Sequence, residues 1–170
     1  MPKKNARPSK KIAEPKQDAR KNRNFPKHSI DATLILPQKI QDEMGGKPMR
    51  RLLLADALSL SPSSSNFRDL LSSSNKYGFT EGNEKSDEIS LTPIGADATQ
   101  SADKSKRLRA LRSAALRSPV FGRFFSDFAN RRVPSPDMLP KILRNQYVVP
   151  SDLAGECADL MLTNGRSAIS

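Results

Sequence analysis

Tryptophan is absent from this chain of 170 residues, cysteine and histidine occur once each, and tyrosine occurs twice. Each scarcity closes a door. A lone Cys157 cannot form an intrachain disulfide and points to the cytosol. It reads as a small hydrophobe on a helix rather than a nucleophile, because the single histidine, His28, sits far away in a polar tail. No CxxC pair, HExxH, GxSxG or Gly-rich phosphate loop occurs. No apolar run approaches the roughly 20 residues of a membrane span, and none follows the basic start as a signal peptide requires. The carboxylate pairs Asp42-Glu43 and Asp87-Glu88 read as solubility. The chain is therefore expected to be non-catalytic, with no cofactor and no metal.

What is present is charge, unevenly placed. Residues 1–28 hold ten Lys/Arg and two acids, a net of +8. The other 142 residues hold 19 and 16, a net of +3, so the pI near 10.1 reports a basic arm and not a basic domain. Prolines at 2, 8, 15 and 26 interrupt the arm, and Ile12 and Phe25 are its only large apolar residues after Met1. Such a segment cannot bury enough to offset its chain entropy and is expected to be disordered. Its Lys3, Lys4, Arg7, Lys10, Lys11, Arg20, Lys21 and Arg23 suit unspecific, salt-sensitive contact with phosphates. Solubility or attraction to an anionic lipid surface would need the same residues.

The body is mainly helical by pattern. A short helix is expected over residues 37–44, started by Pro37 and ended by Gly45-Gly46. A second follows Pro48 and carries Leu52, Leu53, Ala55, Ala57 and Leu58. After a turn at residues 59–61, Ser61 caps a third helix with Pro62 at its first position, running to Tyr77 and stopping at Gly78. Its Phe67, Leu70, Leu71 and Tyr77 form one inward stripe. Residues 79–81 and 88–91 are short strands, joined by a polar tip. From residue 103 on, the pattern is helical: 103–117, 120–129, 137–146 and 152–163, with Pro119, Pro136 and Ser151 at their starts. Residues 166–170 read as the beginning of a strand or a linker, and the chain as one module of a longer protein.

Helix, tight turn, helix and hairpin in that order describe a winged helix-turn-helix, a scaffold whose second helix commonly enters the major groove. Three regions are expected: a disordered basic arm (1–30), the winged module with three helices and a small β-hairpin (31–100), and a helical extension packed on it (101–170). The outward residues of the third helix are Ser64, Ser65, Arg68, Asp69, Ser72, Ser73 and Lys76. Arg68 can fork onto a guanine, while Lys76 and the serines, with Lys85 on the wing, can hold phosphates. Against this, the helix carries only +1, and the wing has Glu81, Glu84, Asp87 and Glu88 against Lys85, a net of −3. A second basic set, Lys104, Lys106, Arg107, Arg109, Arg112 and Arg117, lies on the outer side of the next helix. A solvated helix face is the expected explanation, ahead of a docking surface for phosphates or an acidic partner.

Residues 47–95 resemble the winged-helix module at the amino end of some bacterial proteins, where it precedes a Toll/interleukin-receptor-like nucleotide-binding domain. The matching text includes Gly45-Gly46-Lys47-Pro48-Met49-Arg50-Arg51-Leu52, then Ser61-Pro62-Ser63-Ser64-Ser65-Asn66-Phe67-Arg68-Asp69-Leu70. Ser74-Asn75-Lys76-Tyr77-Gly78 and Ile89-Ser90-Leu91-Thr92-Pro93-Ile94-Gly95 continue it, and the likeness covers most of residues 33–168. It implies a winged-helix domain with a helical extension, in regulation or antiviral defence. The effector domain is not part of the likeness, so no nucleotide activity transfers, and no functional residue is carried over. Two functions remain: a DNA-associated module, regulatory in transcription, with duplex DNA as its partner; or a protein-interaction module, a homodimer among its forms, that positions an effector.

Overall fold

The computed structural model describes residues 23–100 and 102–169. The expected disorder of the arm, and its Lys3, Lys4, Arg7, Lys10, Lys11, Arg20 and Lys21, lie outside the described residues.

The first helix, α1 (Ile30–Met44), begins seven residues before the expected start. Ser29 caps it by accepting a hydrogen bond from the Ala32 amide at 3.2 Å. Pro37 lies inside it, where a proline costs about 3 kcal/mol. The helix survives because Ile30, Thr33, Leu36, Pro37 and Ile40 bury one continuous face. Gly45, at φ +60°, ends it as expected.

Met49–Arg50 is not the start of a helix but a two-residue strand, β1. It is too short to show any alternation in the sequence. Helix α2 (Arg51–Ala57) follows, and then α3 (Ser65–Tyr77). Ser64, not Ser61, caps α3, accepting from the Phe67 amide at 3.2 Å. The Ser61 carbonyl instead accepts from the Ser64 amide and hydroxyl, so residues 61–64 form a turn. Phe67, Leu70, Leu71 and Tyr77 are buried as the spacing predicts, and Gly78 closes the helix at φ +77°.

The strands β2 (Thr80–Glu81) and β3 (Glu88–Leu91) pair antiparallel, Thr80 opposite Leu91 and Glu81 opposite Ser90. β1 adds to the other edge of β3, Met49 opposite Ile89 and Arg50 opposite Glu88, giving the order β1-β3-β2. The ribbon is fixed from both sides. Asn75 of α3 donates to the Gly82 carbonyl at 2.7 Å, and Arg51 of α2 donates to the Ser86 carbonyl at 3.1 Å.

Helices α4 (Pro93–Gln100), α5 (Lys104–Arg117), α6 (Pro119–Asp127), α7 (Leu139–Gln146) and α8 (Ala154–Ile169) complete the chain. The described residues thus form a mainly helical protein of eight helices with one small three-stranded antiparallel sheet. Helix α8 runs through Gly165 to Ile169, so residues 166–169 are neither strand nor linker. Burial of Asn164 and Ala168 at one helical turn's spacing holds that last stretch in register.

Three apolar clusters share the interior. One joins Phe67, Leu70 and Ile89 to α1 and α2, with Leu91 packed against it. A second gathers α6, α7 and α8 around Phe121, Phe124 and Leu143. Between them, a third mixes Ile30, Tyr77 and Phe79 with Leu111, Ala114 and Ala168.

The expectation of disorder through residue 30 fails at residues 23–29. Phe25 is 2% exposed and packs in the α6–α8 cluster, its ring 6.2 Å from that of Phe121. A single aromatic of this size supplies about 2–3 kcal/mol on full burial, enough to pin a short segment.

Candidate nucleic-acid interface

The amphipathic pattern of α3 buries its apolar stripe and turns Ser65, Arg68 and Ser72 outward, where all three are exposed. The pinned segment 23–29 then runs beside this face. The amides of Lys27 and His28 both donate to the Ser73 hydroxyl at 3.2 Å, which makes Ser73 a buried anchor rather than an outward group. The Tyr77 hydroxyl donates to the His28 carbonyl at 2.6 Å. Lys76 reaches back to the carbonyls of Arg23 at 3.2 Å and Phe25 at 3.4 Å.

These contacts create one groove lined by Arg23, Lys27, Ser65, Arg68, Asp69, Ser72, Lys76 and Glu84. Four cations face two carboxylates there, a formal net of +2. Arg23 and Lys27, from outside the helix, add two positive charges to its own +1, and Glu84 of the hairpin removes one. Lys27 covers Asp69 at 2.7 Å. Arg23 is held by Glu156 of α8 through two hydrogen bonds, 2.9 and 2.7 Å long, and lies 4.8 Å from the Phe25 ring centroid. Arg68 stands 4.0 Å from Glu84 of the hairpin, both side chains about half exposed.

The proposed contact residues therefore divide. Ser65, Arg68 and Ser72 are exposed on one groove, and Arg23 joins them there. Ser64 is engaged as the helix cap. Lys76 lines the groove but is half-buried, and burial, with Arg23 nearby adding to it, lowers its pKa while Asp69 opposes. Lys85 sits exposed at the hairpin tip, away from the groove lining, its amide taken by Asn83 at 2.8 Å. Lys27 was not identified from sequence; the signal that could have found it was Phe25, an isolated aromatic in an otherwise polar arm.

The remaining chemistry-bearing groups are quiet. Cys157 is buried in the α6–α8 cluster, and that burial pushes its thiol up to about 12. Among the described residues, no three His, Cys, Asp or Glu side chains gather to hold a metal ion. No described helix is long and apolar enough to cross a membrane.

Comparison with family models, curated proteins and solved structures found no significant match to this chain.

Proposed function

We propose that this chain is a nucleic-acid-associated, non-catalytic binding module of the winged helix-turn-helix kind, regulatory in role, which takes duplex DNA against α3. The observation that carries the reading is the groove in which Arg23, Lys27, Arg68 and Lys76 meet Ser65 and Ser72. Cations and hydroxyls along one helix face are what phosphate and base-edge contacts use. The order α1, β1, α2, α3, β2, β3, with β3 central in the sheet, is support for the scaffold.

Arg68 is the base-reading group in this proposal. Its pairing with Glu84 at 4.0 Å is a surface contact, of the kind worth about 0–1 kcal/mol. A bidentate fork onto guanine is worth about 1–3 kcal/mol of discrimination. The guanine therefore wins, and Glu84 acts against bases that offer no acceptors. A kinship with the modules that precede Toll/interleukin-receptor-like domains, and a cytoplasmic place in bacterial defence, are part of the same proposal.

Selection of preferred duplexes from a random pool, followed by anisotropy titration, tests it. Arg68→Ala is expected to weaken binding to the preferred sequence by about 1–3 kcal/mol and to scrambled duplex by far less. Equal losses on both, or no preferred sequence at all, would sink the base-reading role. A protein-interaction module is the second reading. The exposed Glu81, Glu84, Asp87 and Glu88 of the hairpin favour it, because a wing that grips phosphates is not expected to be acidic.

A further inference from the structure

Helix α5 carries six cations, Lys104, Lys106, Arg107, Arg109, Arg112 and Arg117, and no acid. All six are exposed, while Ala110, Leu111, Ala114 and Ala115 take the inward side. Lys106 pairs with Asp97 of α4 at 3.2 Å, and Arg112 donates to the Ala168 carbonyl at 3.0 Å. Among the described residues, no carboxylate pairs with Lys104, Arg107 or Arg109.

An ordinary solvated helix face does not account for this arrangement. Lys104, Lys106 and Arg107 stand in the first turn, at the positive end of the helix dipole, where cations are disfavoured. Among the described residues, the cap Asp103 and, for Lys106, Asp97 of α4 offset them there. Concentrating like charge against the helix dipole is unfavourable unless a partner of opposite charge offsets it.

The extent of the charge says which partner. Thirteen helical rises span about 20 Å. Lys104 and Arg107 prolong the inward stripe beyond the core at the exposed first turn, while Arg109 and Arg112 face outward, so cations ring the start of the helix and continue along its outer side. Charge of that extent matches the closely spaced phosphates of a duplex, and not a single anion. Ser105, Arg109 and Arg112, at i, i+4 and i+7, share the outward stripe, so a hydroxyl accompanies the guanidinium groups. At the far end, Arg117 lies over Gly78, the residue that closes α3: a Cβ there would meet the Arg117 side chain at 2.8 Å. The row thus runs up to the end of the groove-bearing helix. A membrane surface is the poorer match, since Leu116, 48% exposed, is the large apolar side chain that α5 presents, and no aromatic accompanies it.

We propose that α5 is a second contact for the phosphodiester backbone of duplex DNA, separate from the α3 groove. It supplies sequence-independent affinity, and it stands whether or not α3 reads bases. The test uses the full chain and a short duplex of arbitrary sequence, titrated at several salt concentrations between 50 and 200 mM. The triple variant Lys104→Gln, Arg107→Gln, Arg109→Gln is expected to reduce the slope of log K against log salt by about 2–3. Over that salt range the parent chain then loses about 40-fold more affinity than the variant. Adding Arg68→Ala leaves this difference in place. The melting temperature of the variant stays equal or rises, because it removes cations from a helix start. An unchanged slope overturns the proposal, as does a lowered melting temperature, which would make the row structural. Loss of binding to phosphatidylserine vesicles with duplex binding intact overturns it in favour of lipid.

Discussion

The backbone of Phe79 stands where a Cβ on Gly95 would have to go. Helix α4 therefore approaches the start of β2 at a distance only glycine permits. Thr92 reinforces the corner, accepting from the Gly95 amide at 3.0 Å while its hydroxyl donates to the Gly78 carbonyl. Gly95→Ala gains about 1 kcal/mol of helix propensity. It must also move a backbone carbonyl that cannot rotate away, and overpacking of that kind costs about 1–3 kcal/mol, occasionally more. The clash wins. A lowered melting temperature by calorimetry is expected, about 2–4 °C per kcal/mol for a chain of this size; an unchanged or raised one would refute the close approach.

Segment 23–29 acts as a strap between α3 and α8, and its docking is acid-sensitive. Hydrogen bonding by Arg23 holds the Glu156 carboxyl below its usual 4.5, against the opposing effect of burial. A depressed carboxylate stabilises docking above pH 4.5 and loses that contribution as the pH falls through its lowered value. Burial lowers the His28 imidazole from 6.5; Asp69 opposes this, while Lys27 and Arg23 add to it. Its Nε2 is buried without a hydrogen-bond partner. A histidine kept neutral stabilises the docked state above pH 6.5 and ceases to do so below. Both groups therefore loosen the strap in the same direction. Protection factors for the Lys27 and His28 amides are expected to fall from pH 7 to pH 4, in two stages. His28→Gln should remove the stage that begins near 6.5, and Glu156→Gln the one below 4.5. Protection that stays flat across this range would count against the strap.

At the scale of the whole molecule, one buried polar network ties residues 28–30 to α3 and α8. Asn164 of α8, 1% exposed, donates to the Tyr77 hydroxyl at 2.8 Å and accepts from the Ile30 amide at 2.9 Å. The Tyr77 hydroxyl in turn donates to the His28 carbonyl. Burial, the larger influence, raises the Tyr77 phenol despite the Asn164 hydrogen bond, so it remains a donor at neutral pH. Truncating Asn164 strands the Ile30 amide inside the mixed cluster, at about 1–3 kcal/mol. Asn164→Ala is expected to destabilise the entire fold in one transition, followed by circular dichroism and by tyrosine fluorescence together. Combined with Tyr77→Phe, the losses should fall short of or exceed their sum by at least about 0.5 kcal/mol. Strict additivity would mean that the network does not couple α3 to α8.

Sequence alone determined the elements whose signals are local. The stripe of Phe67, Leu70, Leu71 and Tyr77, the stop at Gly78 and the two strands around the hairpin tip follow from spacing and turn chemistry, which neighbouring residues specify. Where several residues offered the same cap chemistry, as at Ser61 and Ser64, the start shifted by a turn. Pro37 looked like a helix start because the tertiary burial that offsets its cost leaves no local mark. Only the folded chain decided the groove. Lys27 reaches Asp69 across 42 residues and Lys76 reaches Arg23 across 53. Such contacts carry no periodic imprint. They form because one buried phenylalanine fixes where an otherwise polar segment must lie.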